Sequence, residues 1–194
     1  YKDGLQREKF LPFINLISEK LDILQLASGA DYRLQRMRNM RVYCQPADDA
    51  AGAALTEYFA ELTGGHAPVM ETVEVKGRVH AVPAAGGVAR MDFADLCQKP
   101  LGAADYLELA ERYHTLILDR IPEMGETHAA AARRFVTLID ALYENKVKLI
   151  CSAAAPPERL YVDGEGAFEF ERLVSRLMEM QSVEYLALAH GRVE

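Results

Sequence analysis

The sequence predicts a mixed α/β protein in which a parallel β-α-β unit is combined with a hairpin-rich segment. Two short apolar runs, residues 115–118 and 147–151, have the length and composition of buried strands. Between them, from about Thr127, apolar residues recur at helical spacing as Phe135, Leu138, Ile139 and Leu142. Strand, helix and strand in this order predict two parallel strands joined by a right-handed crossover.

Residues 69–93 have a different pattern, in which short β-like stretches are separated by turn signals. Val73, Val75, Val79 and Ala81 alternate with polar residues, and Lys76-Gly77 and Gly86-Gly87 are typical of tight hairpin turns. We therefore expect antiparallel strands here, as a β-rich insertion or a small subdomain.

The remaining elements are predicted from shorter signals. Apolar residues at helical spacing predict helices from Phe10, over residues 48–62, around residues 106–113 and from about Ala167. Short apolar runs predict strands at residues 23–26 and 42–44.

Composition and charge exclude several classes of protein. No apolar run approaches the ~18 residues that a membrane-spanning helix needs, so we expect no transmembrane segment. The net charge of −7 argues against a nucleic-acid partner. Cys44, Cys97 and Cys151 are odd in number and far apart, so we expect reduced, buried thiols. The chain begins with Tyr1 rather than Met, from which we expect a truncated, processed or trimmed start.

The sequence contains no motif that would form a complete catalytic site. No Gly-x-x-x-x-Gly-Lys-Ser/Thr phosphate loop and no Gly-x-Gly-x-x-Gly fingerprint are present, and Gly86-Gly87 is interpreted as a turn. The five histidines do not have the spacing of metal ligands, so we expect no metal site and no cofactor bound by this chain alone.

Polar residues at the carboxyl ends of the two parallel strands are the positions where a ligand would gather. Asp119 follows the first strand, in the form of an acidic residue that holds Mg²⁺ in P-loop ATPases, but Arg120 stands where a catalytic Glu is usual. Ser152 follows the second strand. An ordinary β-α-β unit with polar strand ends is the favoured interpretation. A Cys151–His114 dyad is rejected, because these residues belong to opposite edges of a parallel sheet.

A weak internal echo is also visible. Residues 1–4 read YKDG and residues 161–164 read YVDG, and each stretch is followed by an amphipathic helical pattern. The second copy lies shortly after the strand at 147–151. If the echo is real, a similar strand precedes Tyr1 in the intact protein.

Five stretches of the chain, in order, resemble the ZapE/AFG1-like ATPases, a branch of the AAA+ P-loop proteins. They are residues 1–14 (YKDGLQREKFLPFI), 31–33 (DYR), 100–106 (PLGAADY), 133–143 (RRFVTLIDALY) and 175–182 (SRLMEMQS). The resemblance spans nearly the whole chain and is weakest between residues 45 and 88. Several long matches in one order are more specific than any single short motif.

The resemblance implies that the phosphate loop, the magnesium-binding acidic motif and the first sensor strand lie upstream of Tyr1. Residues 1–41 would then be the tail of the AAA+ ATPase core, with the helix and strand that follow the first sensor. Residues 42–194 would form a C-terminal α/β domain with the β-rich insertion at about 69–93. ATP and Mg²⁺ would be bound by the intact protein and not by this chain alone.

The resemblance also implies roles for three arginines. Arg7, in the stretch GLQR, is the candidate arginine finger, acting on ATP bound by a neighbouring subunit. The alternative is that Arg7 pairs with Asp3 or Glu8 at a helix start. Arg134 and Arg176 are weaker candidates for sensor arginines, and their alternative is an intramolecular ion pair.

Two hypotheses for function follow. In the first, the chain is the C-terminal half of an AAA+ ATPase whose ATP hydrolysis is coupled to cell division or protein quality control. The resemblance implies a homo-oligomer with protein partners, located in the bacterial cytoplasm or at the inner face of the membrane. In the second, the chain is a non-catalytic protein-interaction module that retains a degenerate ATPase-like β-α-β unit.

Overall fold

A computed structural model describes residues 35, 37, 40–161 and 167–191, and six strands in this part of the chain form one mixed sheet. The strands are β1 (Tyr43–Cys44), β2 (Val69–Val75), β3 (Arg78–Ala85), β4 (Val88–Asp92), β5 (Thr115–Ile121) and β6 (Lys148–Ala153). Their order in the sheet is β1-β6-β5-β4-β3-β2.

The pairing of the strands confirms the α/β fold class. Strands β1, β6, β5 and β4 are mutually parallel, whereas β3 is antiparallel to both β4 and β2. The expected β-α-β unit is formed by β5 and β6, and the hairpin-rich segment forms β2, β3 and β4. These three strands extend the same sheet, because β4 pairs with β5 along its whole length.

Five α-helices accompany the sheet between residues 40 and 191 of the described chain. They are α1 (Asp49–Thr63), α2 (Ala103–Arg112), α3 (Ala129–Glu144), α4 (Ala167–Glu179) and the short α5 (Val183–Leu186). The start of α1 is fixed by Asp48, whose carboxylate accepts the backbone N–H of Ala51 at 2.9 Å. Its end is fixed by Gly64, which has a φ of 67°.

The two faces of the sheet are covered by different helices. One face packs against α2, α3 and α4, with Leu116, Leu118 and Leu149 pointing toward them. The other face packs against α1, and Ile117 and Ile150 lie on this side. Burial on both faces explains why β5 and β6 have continuous apolar runs rather than an alternating pattern.

Strand β5 is longer than the sequence predicts, because it continues through Asp119 and Arg120 to Ile121. The register passes from Leu118 opposite Cys151 to Ile121 opposite Ala153, so β5 carries one extra residue. Arg120 lies in this bulge, and its φ of 59° is in the left-handed region. The expectation that the strand stops before Asp119 is therefore wrong, since a bulge lets it continue.

Several expectations lie outside the described residues. They include the helix from Phe10, the strand at 23–26 and Arg7. The domain boundary after residue 41 stays a prediction for the same reason. The same holds for both copies of the echo, apart from Tyr161.

We expect Phe135→Ala to lower the free energy of unfolding by about 3–5 kcal/mol, because it leaves a cavity in the core. Phe135 is fully buried in α3, and its ring lies 5.5 Å from that of Phe93 in an edge-to-face arrangement. Urea unfolding followed by tyrosine fluorescence measures the change.

The matched control is Phe168→Ala on α4, where the side chain is 82% exposed. This change is expected to alter the free energy of unfolding by less than about 0.5 kcal/mol. Equal losses for the two variants would contradict the packing described here.

Candidate functional site

The carboxyl edge of the parallel strands gathers the polar residues that end β4, β5 and β6. Asp92 lies directly opposite Asp119 in the β4–β5 register. Ser152 lies on β6, and its Oγ accepts the backbone N–H of Arg120 at 2.9 Å. The structure thus brings together Asp119 and Ser152, the two positions expected from the sequence, and adds Asp92 to them.

Asp119 is held by Arg90 of β4 in a bidentate ion pair. The Nε and Nη2 of Arg90 donate to the two carboxylate oxygens at 2.8 and 3.0 Å. The same guanidinium donates to Thr56 Oγ1 and to the carbonyl of Gly52, both on α1. Arg90 therefore fastens α1 to the ends of β4 and β5, and both Asp119 oxygens are already engaged.

Asp92 contacts the second arginine of this edge. Its Oδ1 accepts the backbone N–H of Ala94 at 2.8 Å. Its Oδ2 forms an ion pair with Arg120, although without the alignment of a normal hydrogen bond. Arg120 is 74% exposed, so its guanidinium covers the Asp92 carboxylate from the solvent side.

These residues do not fit a bound magnesium nucleotide. Both carboxylates at the edge already contact arginines, whereas a magnesium site needs free oxygen ligands. The sequence also offers no phosphate loop beside them. No group of three or more potential metal-ligating side chains occurs among residues 35, 37, 40–161 and 167–191.

A cleft of about 690 Å³ opens at this edge, between β3 on one side and β4 on the other. Its apolar lining consists of Pro68, Met70, Val79, Ala81, Val82, Pro83, Met91, Leu96, Leu101 and Leu109. Its polar lining consists of His80, Arg90, Asp92, Asp95, Lys99, Asp105, Asp119 and Arg120.

Asp105, at the start of α2, is the most deeply buried charge in the wall of the cleft, with 1% of its side chain exposed. It accepts the N–H of Gly102 at 2.8 Å and lies 2.9 Å from His80 Nε2 and 2.7 Å from Arg78 Nη2. Burial alone would raise the pKa of this carboxyl. The hydrogen bonds from Gly102 and His80 and the charge of Arg78 outweigh burial, so the pKa is lowered.

Arg134 and Arg176, the two sensor candidates, do not line this cleft. The Arg134 guanidinium donates to the carbonyl of Cys97. Arg176 forms ion pairs with Asp140 and Glu144 and lies over the ring of Tyr143. Both side chains therefore have partners within the described chain.

The rejected dyad can be checked against the register of the sheet. Thr115 pairs with Lys148, so His114 lies at the amino edge, whereas Cys151 pairs with Leu118 further along β5. The three cysteines are free and buried, as expected. Burial raises the pKa of the Cys151 thiol, which keeps it protonated and unreactive.

Sequence reasoning missed Arg90, Asp92, His80 and Asp105. Arg90 and Asp92 stand in β4, whose parallel pairing with β5 has no local signal. Asp105 carries one signal that could have been used. It stands three residues after Gly102 at a helix start, where an acidic side chain often accepts backbone N–H groups.

The chain belongs to the AFG1-like ATPase family, because the family model matches residues 1–189. This agrees with the α/β sheet, whose polar residues gather at the carboxyl ends of parallel strands.

Relatives from bacteria and eukaryotes are similar over almost the whole chain. The cell division protein ZapE of Escherichia coli (strain K12) is 35% identical over 191 residues, which is 98% of this chain and 51% of that protein. An uncharacterized protein of Schizosaccharomyces pombe is 34% identical, covering 96% of this chain and 48% of its own length. The lactation elevated protein 1 homolog B of Danio rerio is 34% identical, and the match covers 95% of this chain and 44% of that protein.

The chain thus spans about half the length of the curated relatives that it matches. No solved structure matches it. Among the described residues, no helix is long and apolar enough to cross a membrane.

Stability is expected to depend on pH through Asp105. Because the pKa of Asp105 is lowered in the folded state, its contribution is complete above the unfolded pKa of about 3.9. This contribution is lost as the pH falls through the folded value. We expect wild-type protein to be more stable than Asp105→Asn at pH 6, and this difference to shrink below about pH 4.

Urea unfolding of both proteins between pH 3 and pH 7 measures this difference. Asp105→Ala, which also removes the carboxyl group, is expected to lose the same pH-dependent contribution. A stability difference between wild type and Asp105→Asn that does not change over this range would contradict the assignment.

Proposed function

We propose that this chain is the C-terminal half of an ATPase, which hydrolyses ATP only together with an upstream half that carries the phosphate loop. The observation that carries the proposal is the family match over residues 1–189 combined with coverage of 51% of the ZapE relative. The engaged carboxylates Asp92 and Asp119 support it, because both already contact arginines at the carboxyl edge of the parallel strands.

In this proposal Arg7 is the arginine finger. It lies in the stretch GLQR, which resembles the region where AAA+ proteins often place this arginine. Arg7 lies outside the described residues. The planar guanidinium of arginine contacts two phosphate oxygens at once, so it stabilises the charge of phosphoryl transfer at a subunit interface.

Arg134 and Arg176 stay secondary candidates. Their contacts with Cys97, Asp140 and Glu144 favour a structural role, in which Arg176 connects α3 to α4. An arginine that acts on a nucleotide in a neighbouring subunit has to leave such partners, and this separation has a cost.

The proposal includes partners and a cellular setting. An arginine finger that acts in trans requires a homo-oligomer, and Mg²⁺ would accompany ATP in the upstream half. The bacterial relative is named for cell division. We therefore infer that ATP hydrolysis is coupled to cell division or protein quality control through a protein partner, in the cytoplasm or at the inner face of the membrane.

A second candidate function is a non-catalytic interaction module with a degenerate ATPase-like β-α-β unit. The ion pairs Arg90–Asp119 and Arg120–Asp92 favour it, because they occupy the carboxyl edge with structural contacts. The two candidates differ in a measurable way, because a non-catalytic module does not hydrolyse ATP and Arg7→Ala would then change no rate.

In the full-length protein, we expect Arg7→Ala to lower the rate of ATP hydrolysis by about 10³-fold, because charge stabilisation in the transition state is lost. Binding of a fluorescent ATP analogue is expected to stay close to wild type. Arg7→Lys is expected to be nearly as slow, because a lysine does not present the planar fork.

Lys9→Ala is the matched control, since it removes a neighbouring cation from the same stretch and is expected to keep the wild-type rate. An unchanged rate of ATP hydrolysis in Arg7→Ala would contradict the arginine-finger role. A full-length wild-type protein that hydrolyses no ATP would instead favour the interaction module.

A further inference from the structure

Strands β3 and β4 separate after a short common ladder. Only two pairs join them, Ala84 with Ala89 and Ala85 with Val88, whereas β3 pairs with β2 from Arg78 to Ala84. The next pair toward the carboxyl edge would join Pro83 to Arg90. Since proline has no backbone N–H, it cannot complete this pair, and the two strands diverge from there.

The two hairpin turns determine which backbone groups of β3 face the opening. Lys76-Gly77 and Gly86-Gly87 all have positive φ angles, of 49°, 79°, 56° and 78°, as type I′ turns require. The residues that flank such a turn form a hydrogen-bonded pair. Alternation along the strand then directs the backbone groups of Arg78, His80, Val82 and Ala84 toward β2.

The backbone groups of Val79, Ala81 and Pro83 consequently face the side where β4 has turned away. Val79 and Ala81 each offer an N–H and a C=O, and Pro83 offers a C=O. The side chain of Val79 is 67% exposed. This row of groups has the spacing of an edge strand ready to pair with another chain.

Residues from both faces of the sheet line the cleft at this point. Arg90 and Asp119 line it from the α1 side, and Leu101 and Leu109 line it from the α2 side. This arrangement is what a gap between two diverging strands produces. The apolar side chains Met70, Val79 and Met91 surround the gap.

The charges around the cleft are balanced by one another. Its four carboxylates form the ion pairs Asp92–Arg120, Asp95–Lys99, Asp105–Arg78 and Asp119–Arg90. A strongly charged ligand would compete with these pairs, whereas an uncharged ligand leaves them intact. The cleft therefore favours apolar over charged ligands.

We propose that this cleft binds an extended, uncharged and mainly apolar polypeptide segment, which adds to β3 at Val79 and Ala81, along the edge that has no partner strand among the described residues. Backbone hydrogen bonds supply the affinity, and Met70, Val79 and Met91 contact the side chains of the segment. With about 3.3 Å per residue, the unpaired part of β3 matches a segment of about five or six residues.

The outer edge of β2 is a poorer site for such a segment. It carries Glu74, and Glu71 of the same strand is engaged by Arg112 and Tyr113. Charged side chains on an edge strand discourage pairing with another chain. The two edges of the hairpin can therefore be compared directly in one experiment.

The test measures binding of a fluorescein-labelled peptide of alternating valine and serine to the full-length protein by fluorescence anisotropy, without ATP. Ala81→Pro removes an N–H that faces the cleft, and we expect at least tenfold weaker binding. Thr72→Pro is the matched control, because Thr72 pairs with Ala81 but directs its N–H to the outer edge of β2. Its binding is expected to equal that of wild type.

A second measurement leaves the protein unchanged. The same peptide with every backbone nitrogen methylated has no N–H to donate to β3 along either edge, and we expect wild-type protein to bind it at least tenfold more weakly. Equal binding of both peptides, weakening by Thr72→Pro instead of Ala81→Pro, or no binding by wild-type protein would each overturn the proposal. Such a failure leaves the ATPase proposal intact, since the measurement contains no nucleotide.

Discussion

Burial of β5 and β6 on both faces is the constraint from which the rest of this structure follows. All six residues of β6 are buried, and in β5 only Asp119 and Arg120 are not. Two separate clusters of apolar side chains cover the two faces of the sheet. A parallel sheet covered in this way directs the carboxyl ends of its strands to one edge, where polar residues can gather.

At that edge, ion pairs replace the contacts that a nucleotide site would need. Arg90 engages both oxygens of Asp119, and Arg120 covers Asp92 from a bulge in which it has a left-handed φ of 59°. These contacts connect α1, β4 and β5 to one another. The ion pairs therefore hold the residues at this edge of the cleft in place. In our proposal, the upstream half binds the nucleotide.

The parts of the fold that could be predicted are those with dense local signals. The apolar runs of β5 and β6 and the periodicity of α3 identify the β-α-β unit, and the turn glycines identify the hairpins. The parallel pairing of β4 with β5 could not be predicted, because it joins segments that are separated by the whole of α2. The five-residue β4 also carries two charged residues.

The candidate site could be predicted only in part. Asp119 and Ser152 follow from the rule that strand ends collect ligands, but their partners do not. Arg90 lies 29 residues before Asp119, and Arg78 lies 27 residues before Asp105. Nothing local distinguishes these arginines from others, and a positive φ at Arg120 cannot be recognised in an arginine. Only Pro83, which cannot pair through its nitrogen, gives a local reason for the cleft.

The most direct test of the central claim, that this half completes an ATP site in a neighbouring subunit, is a subunit-mixing measurement. One full-length variant carries Arg7→Ala, and the other carries an alanine in place of the phosphate-loop lysine upstream. Each alone is expected to be inactive. The account predicts that mixed oligomers regain ATP hydrolysis, because some interfaces then combine an intact phosphate loop with an intact Arg7. Mixtures that form oligomers but stay inactive at every ratio would contradict it.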